Sequence, residues 1–220
     1  MKKAIVVLLS CAISAAALTA EPPSMRLRVL AERVQAVGEG VPQEKSLAAA
    51  REFLAPYRAE LVAATRGTDA ESRVMALYLL GLTAPDAEVI HALVSASRDG
   101  DPRIQELALA GLAANRSNLE SVEVREALLA PIAGKSSARS YRAASFAAAF
   151  LGLPEAVPVL AADLRSADAQ VKQAALGALR EYGPAARSAL PALLEQLHAA
   201  RDQETASALR EVIRRVETTP

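Results

Sequence analysis

The stretch Asp168-Ala-Gln-Val-Lys-Gln-Ala-Ala-Leu-Gly-Ala-Leu179 places an acid three residues before an aliphatic anchor, Val171. Small or apolar side chains follow three, four and seven positions after that anchor. This is the period of a helix that buries one face. The acid stands where a carboxylate accepts bonds from the free N–H groups of a helix N-terminus. The pattern returns in Glu71-Ser-Arg-Val74-Met-Ala-Leu77, Asp101-Pro-Arg-Ile104-Gln-Glu-Leu107, Ala138-Arg-Ser-Tyr141-Arg-Ala-Ala144 and Asp202-Gln-Glu-Thr205-Ala-Ser-Ala208. The anchors 74, 104, 141, 171 and 205 are spaced 30, 37, 30 and 34 residues apart. A fixed period of this size marks a repeat architecture.

A second helix precedes each of these. Pro56, Pro85, Pro154 and Pro184 stand where such helices begin, since the first-turn N–H has no partner to lose. Gly81, Gly152 and Gly183 stand where the second helix of a unit stops. The spacing predicts helix pairs near 56–66 and 70–81, 85–98 and 102–115, 121–133 and 138–151, 154–166 and 169–182, and 185–200 and 203–217. Residues 25–54 supply a weaker N-terminal pair that caps the array. No stretch alternates with period two, so no strand is expected.

Composition agrees. The chain has 220 residues, of which 50 are alanine, 3% are aromatic and none is tryptophan. Alanine has the highest helix propensity and little bulk, so helices built from it approach closely. Lys+Arg and Asp+Glu are 25 each. That balance gives no electrostatic footprint for nucleic acid, no polybasic membrane tail and no acidic disordered tail.

The Asp168–Leu179 stretch, its echoes at Asp101–Leu112 and Glu71–Leu82, and the prolines inside first helices at Pro131, Pro158 and Pro191 resemble HEAT repeats. The likeness is to the short bacterial type related to phycobilisome-lyase repeats. It implies an all-α, right-handed α-solenoid of about five stacked HEAT-like helix pairs over 56–217, with linker and capping helices over 21–55. In such a stack each pair buries its stripe only against its neighbours.

The N-terminus reads as an address. Met1-Lys2-Lys3 is basic, Ala4 to Leu18 is apolar apart from short interruptions, and Glu21-Pro22-Pro23-Ser24 follows. This is the order of a secretory signal peptide, with cleavage expected after Ala20. A run of this length is short for a membrane span of about 20 residues, and no transmembrane span is expected in the mature chain. Leu8-Leu9-Ser10-Cys11 resembles a lipobox, but the residues after Cys11 stay apolar where a lipoprotein tether is polar. Removal of residues 1–20 takes away the only cysteine and leaves 23 basic and 25 acidic side chains. A cysteine-free mature chain suits an oxidising compartment. Lysine remains only at 45, 135 and 172, an arginine bias of GC-rich coding, so the expected location is periplasmic or secreted, in a bacterium.

Catalytic constellations are scarce. His91 and His198 are 107 residues apart, and no ligand accompanies either at metal-binding spacing. Gly134-Lys135-Ser136 lacks the rest of a phosphate loop. Asn115-Arg116-Ser117 matches a glycosylation sequon by chance. Tyr78, Tyr141 and Tyr182 read as packing residues with a wet hydroxyl. No enzyme, cofactor or metal is expected.

The resemblance places second helices on the concave side, and there a mixed basic and apolar stripe lies one, five and nine positions after the anchors. It comprises Gln105, Leu109, Arg142, Phe146, Phe150, Lys172, Leu176, Arg180, Arg210 and Arg214. Arginines for carboxylates and phenylalanines as anchors suit another protein or peptide that is acidic or amphipathic. The expected function is a protein-interaction module or scaffold. The alternatives are an inhibitor or immunity-type binder of an exported enzyme or toxin, and a lyase-like cofactor-handling protein.

Overall fold

A computed structural model of the chain describes residues 23–38, 43–115, 121–134 and 136–218. The leader, the lipobox cysteine, Arg116, Ser117 and Lys135 lie outside the described residues. No strand occurs among the described residues. The chain forms two compact units, one ending at Ala84 and the other starting at Pro85.

The first unit holds α1 (Pro23–Gly38), α2 (Gln43–Leu54), a 3-10 turn (Ala55–Tyr57), α3 (Arg58–Ala64) and α4 (Ala70–Gly81). Helix α1 packs on both α2 and α4, and α3 packs on α4. The core is leucine: Leu27, Leu30, Leu54, Leu61, Leu77 and Leu80 are at most 1% exposed.

The second unit holds α5 (Ala87–Ala96), α6 (Pro102–Ala114), α7 (Val122–Ala133), α8 (Ala138–Leu151), α9 (Ala156–Asp163), α10 (Ala169–Tyr182), a 3-10 stretch (Gly183–Ala189), α11 (Leu190–Ala199) and α12 (Gln203–Glu217). Each first helix packs on the second helix of its own pair, and α6, α8, α10 and α12 pack side by side in chain order. The first helices α5, α7, α9 and α11 form a second layer. This is an all-α, armadillo-like α-solenoid. Its inner surface is built for close approach. Around α8 the buried residues are Ser140, Ala144, Ser145, Ala147, Ala148 and Ala149, with Tyr141 the one large side chain among them.

The first helices are shorter than the sequence predicts, and their caps show why. Asp86 caps α5, so Pro85 stays outside the helix. Ser97 closes α5 by turning its buried hydroxyl back to the Val94 carbonyl at 2.8 Å, as Thr83 does to Leu80 after α4. Before α11 the chain runs through Gly183–Ala189 in 3-10 form, with Ala186 off helical geometry.

The capping acids behave as expected. Asp101, Asp168 and Asp202 accept bonds from the N–H groups of Arg103, Gln170 and Thr205 at 2.7–2.9 Å. Two repeats depart from the anchor alignment. Asp69, not Glu71, caps α4 through the Ser72 N–H at 2.9 Å. Ser137 caps α8, one residue before the Ala138 that the alignment put there. Among the anchors Ile104, Tyr141 and Val171 are buried, whereas Val74 is half-buried and Thr205 exposed. Thr205 turns to the cap instead, its hydroxyl bonding the Asp202 carboxylate at 2.9 Å. At the other end of α8, Gly152 adopts φ +69°. Its N–H bonds Ala149 O at 3.0 Å while Leu153 N–H bonds Ala148 O at 2.9 Å. That double closure needs a left-handed residue.

The tyrosines correct the expectation of wet hydroxyls. Tyr141 is fully buried, and its hydroxyl donates to Asp163 Oδ2 at 2.9 Å. Tyr182 donates to the Leu153 carbonyl at 2.7 Å. Burial pushes both phenols well above the ordinary tyrosine range, and in Tyr141 the bond to Asp163 adds to it. Each clasp ties a second helix to the chain of a neighbouring pair, α8 to α9 and α10 to the turn before α9. Tyr78 is 37% exposed.

Two outcomes follow for stability. Tyr141→Phe removes a buried bond to a carboxylate and is expected to cost about 1.5–3 kcal/mol, read as a lowered denaturant midpoint. Hydrogen bonds at the Ser72 hydroxyl and N–H hold the Asp69 carboxyl below its usual value, and the Thr205 N–H and hydroxyl do the same for Asp202. A depressed carboxyl contributes fully above its unfolded value and loses that contribution as pH falls through the folded one. Thermal melts are therefore expected to drop below about pH 4. The double variant Asp69→Asn, Asp202→Asn, whose side chains still cap, is expected to show a shallower acid loss.

Candidate functional site

Helices α8 and α10 each touch their own first helix and the second helices on both sides, and α6 touches α5 and α8, so only part of each helix surface remains open. Counted from each N-cap, an open strip falls at cap +2, +5 and +9. In α6 it is Arg103, Glu106 and Ala110; in α8 Arg139, Arg142 and Phe146; in α10 Gln170, Gln173 and Gly177. All nine are exposed or half-buried. The spacing of three and four residues is that of one helix face.

Two hollows open along this strip. One, of about 490 Å³, lies between α6 and α8, with Ala110, Ala114, Ala143 and Ala147 among its walls and Phe146 and Phe150 beside them. The other, of about 520 Å³, lies across α8, α10 and α12, and Arg139, Arg142, Gln173, Arg180 and Glu211 line it. Arg142 and Phe146 border both. The Phe146 ring lies over Gly177, where an added Cβ would stand 2.9 Å from Cζ. Gly177 thus leaves room for the tip of the ring against α10.

The charged groups of the strip are partly neutralised. Glu106 pairs with Arg139 at 3.2 Å and with Arg142 at 3.4 Å. One carboxylate serves two guanidiniums, each with five N–H donors. Arg180 Nε reaches Glu181 on the next position at 3.4 Å. Such exposed pairs contribute little to stability.

Of the ten residues the sequence stripe selected, Arg142, Phe146, Leu176 and Arg180 line the larger hollow, and Phe150, 56% exposed, lines the smaller. The others fall elsewhere. Leu109 is fully buried. Gln105 is half-buried and turned to the opposite side of α6, where it accepts from the Ser140 hydroxyl and donates to the Asp99 carbonyl. Lys172, Arg210 and Arg214 are exposed but line neither hollow. The cause is one residue of register. Positions one, five and nine after the anchor are cap +4, +8 and +12 in α6, α10 and α12, but cap +5, +9 and +13 in α8, because Ser137 caps one residue early. A shift of one residue rotates a side chain by about 100°. The missed residues Glu106, Ala110, Arg139, Gln173 and Gly177 all follow from counting from the cap.

No group of three His, Cys, Asp or Glu side chains that could hold a metal exists among the described residues. His91 and His198 are both exposed. The arrangement is an open trough lined with guanidinium, amide and aromatic groups.

No family model and no curated protein matches the chain. Solved structures do. An engineered protein superposes with a TM-score of 0.60 at 20% identity, over 91% of this chain and 93% of its own. A designed armadillo repeat protein, solved in complex with the peptide (KR)4, superposes with a TM-score of 0.58 at 19% identity, over 88% and 92%. The chain is similar to these in fold: stacked helices of the armadillo-like repeat kind.

Proposed function

We propose that the protein is a non-enzymatic binding scaffold that holds another polypeptide in the trough along α6, α8, α10 and α12. The observation that carries this reading is the strip at cap +2, +5 and +9, which puts Arg139, Arg142 and Phe146 in one line at the meeting of two open hollows. A preformed trough holds a ligand with little ordering cost on the protein side. The designed repeat protein of similar fold holds the peptide (KR)4. Here three arginines line the larger hollow against one glutamate, so an acidic or amphipathic polypeptide is the better match.

A displayed peptide library selected on the immobilised protein tests this. Enriched peptides are expected to compete with one another. The double variant Arg142→Glu, Arg180→Glu is expected to bind them about tenfold or more weakly, with its melting temperature shifted by no more than about 3 °C because both side chains sit at the surface. Failure to enrich any peptide, or equal binding by the variant, removes the reading.

We further propose that the scaffold works outside the cytoplasm, in the periplasm or the medium. The sequence order of basic start, apolar run and small residues supports it. Expression of the full chain in a bacterial host is expected to yield mature protein in the envelope or medium, beginning at Glu21 on N-terminal sequencing. Full-length protein confined to the cytoplasm would contradict it.

A further inference from the structure

The two hollows differ in chemistry, and the difference specifies a ligand more narrowly than the trough itself does. The hollow between α6 and α8 is floored by alanines and edged by Phe146 and Phe150. In a chain with three phenylalanines, two stand here, and Phe150 is more than half exposed. It borders a depression lined mostly by alanine methyl groups, with Glu106 and Arg142 also in the lining. The hollow across α8 and α10 adds charged and amide groups to its apolar lining. Arg142 lines it from α8 and Arg180 from α10, together with Gln170 and Gln173 of α10.

Arginine donors exceed the carboxylates around this hollow: Arg139, Arg142 and Arg180 line it with Glu211, and the ion pairs of these arginines use Glu106 and Glu181. Glu106 is divided between Arg139 and Arg142, and Glu181 touches only Nε of Arg180. The remaining guanidinium N–H groups form the planar fork that matches a carboxylate. The glutamine amides carry both donors and acceptors and so meet the peptide groups of an extended chain.

We infer that the trough binds an extended segment of a partner polypeptide, with an apolar side chain in the α6–α8 hollow and a carboxylate side chain in the α8–α10 hollow. Packed helices lie about 8–10 Å apart, and an extended chain advances about 3.3 Å per residue. Alternate side chains of an extended chain share one face, so the apolar and acidic residues are two positions apart, and their own length spans the rest of the gap. This inference rests on the trough being the binding surface. It adds the order and spacing of the groups that the trough reads.

Fluorescence anisotropy with four synthetic peptides of one serine-rich frame tests it. The first carries leucine and, two positions away on the same face of an extended chain, glutamate; the second replaces the glutamate with lysine; the third replaces the leucine with alanine; the fourth replaces both with serine. The leucine–glutamate peptide is expected to bind about tenfold or more tightly than each of the others. Arg180→Glu is expected to reverse the order of the glutamate and lysine peptides, which a merely structural arginine would not do. Ala110→Leu, at an exposed position that fills the apolar hollow, is expected to erase the advantage of leucine over alanine. Equal binding of the glutamate and lysine peptides, or an Arg180→Glu variant that weakens both alike, overturns the inference. If library selection yields trough-binding peptides without an apolar–acidic pair, this inference falls while the scaffold reading stands. If neither the library nor the frame gives binding, both fall.

Discussion

A helix pair made largely of alanine and leucine cannot hide its apolar stripe by itself, because two cylinders meet along only one line. The stripe is covered only when the next pair stacks against it. In the second unit this constraint places α6, α8, α10 and α12 side by side in one layer and α5, α7, α9 and α11 in the other. Small residues make the layer tight. Helix α8 presents alanine and serine to its neighbours on several sides, so its backbone lies close to both.

Tight layers of small residues leave few places for large groups, and those places are informative. Tyr141 and Tyr182 go inward and clasp adjacent pairs through Asp163 and the Leu153 carbonyl. Phe146 and Phe150 go outward. Gly177 accommodates the first by leaving room above α10, and the second stands over the alanine-floored hollow. The side chains that fix the stack and those that face solvent are thus separated on one helix by their angle around its axis. Fold and surface can then be altered independently.

Much of this was legible in the residues. The helix pairs, the prolines near their starts and the acids at three of the caps could be read from spacing, because capping and period are local properties. The trough was legible only in part. Arg142, Phe146, Phe150, Leu176 and Arg180 were found, and Leu109 and Gln105 were misplaced. An apolar anchor reports which face is buried without saying how wide the buried arc is. A central helix with neighbours on three sides buries more of its circumference than a two-helix hairpin does. The N-cap is the better ruler, since it fixes the first helical residue and with it the angle of every later one. Read from the caps, Asp101, Ser137 and Asp168 bring Ala110, Phe146 and Gly177 into one row.

The order of helices, the caps at Asp101, Asp168 and Asp202 and the repeat were determined by the sequence alone, since each depends on groups a few residues apart. The tertiary structure decided which face stayed open, that Tyr141 reaches a buried carboxylate 22 positions away, and that Arg142 and Arg180 share one hollow. These depend on how closely neighbouring helices approach. That distance is set by the side chains of both helices together and is written in neither one alone.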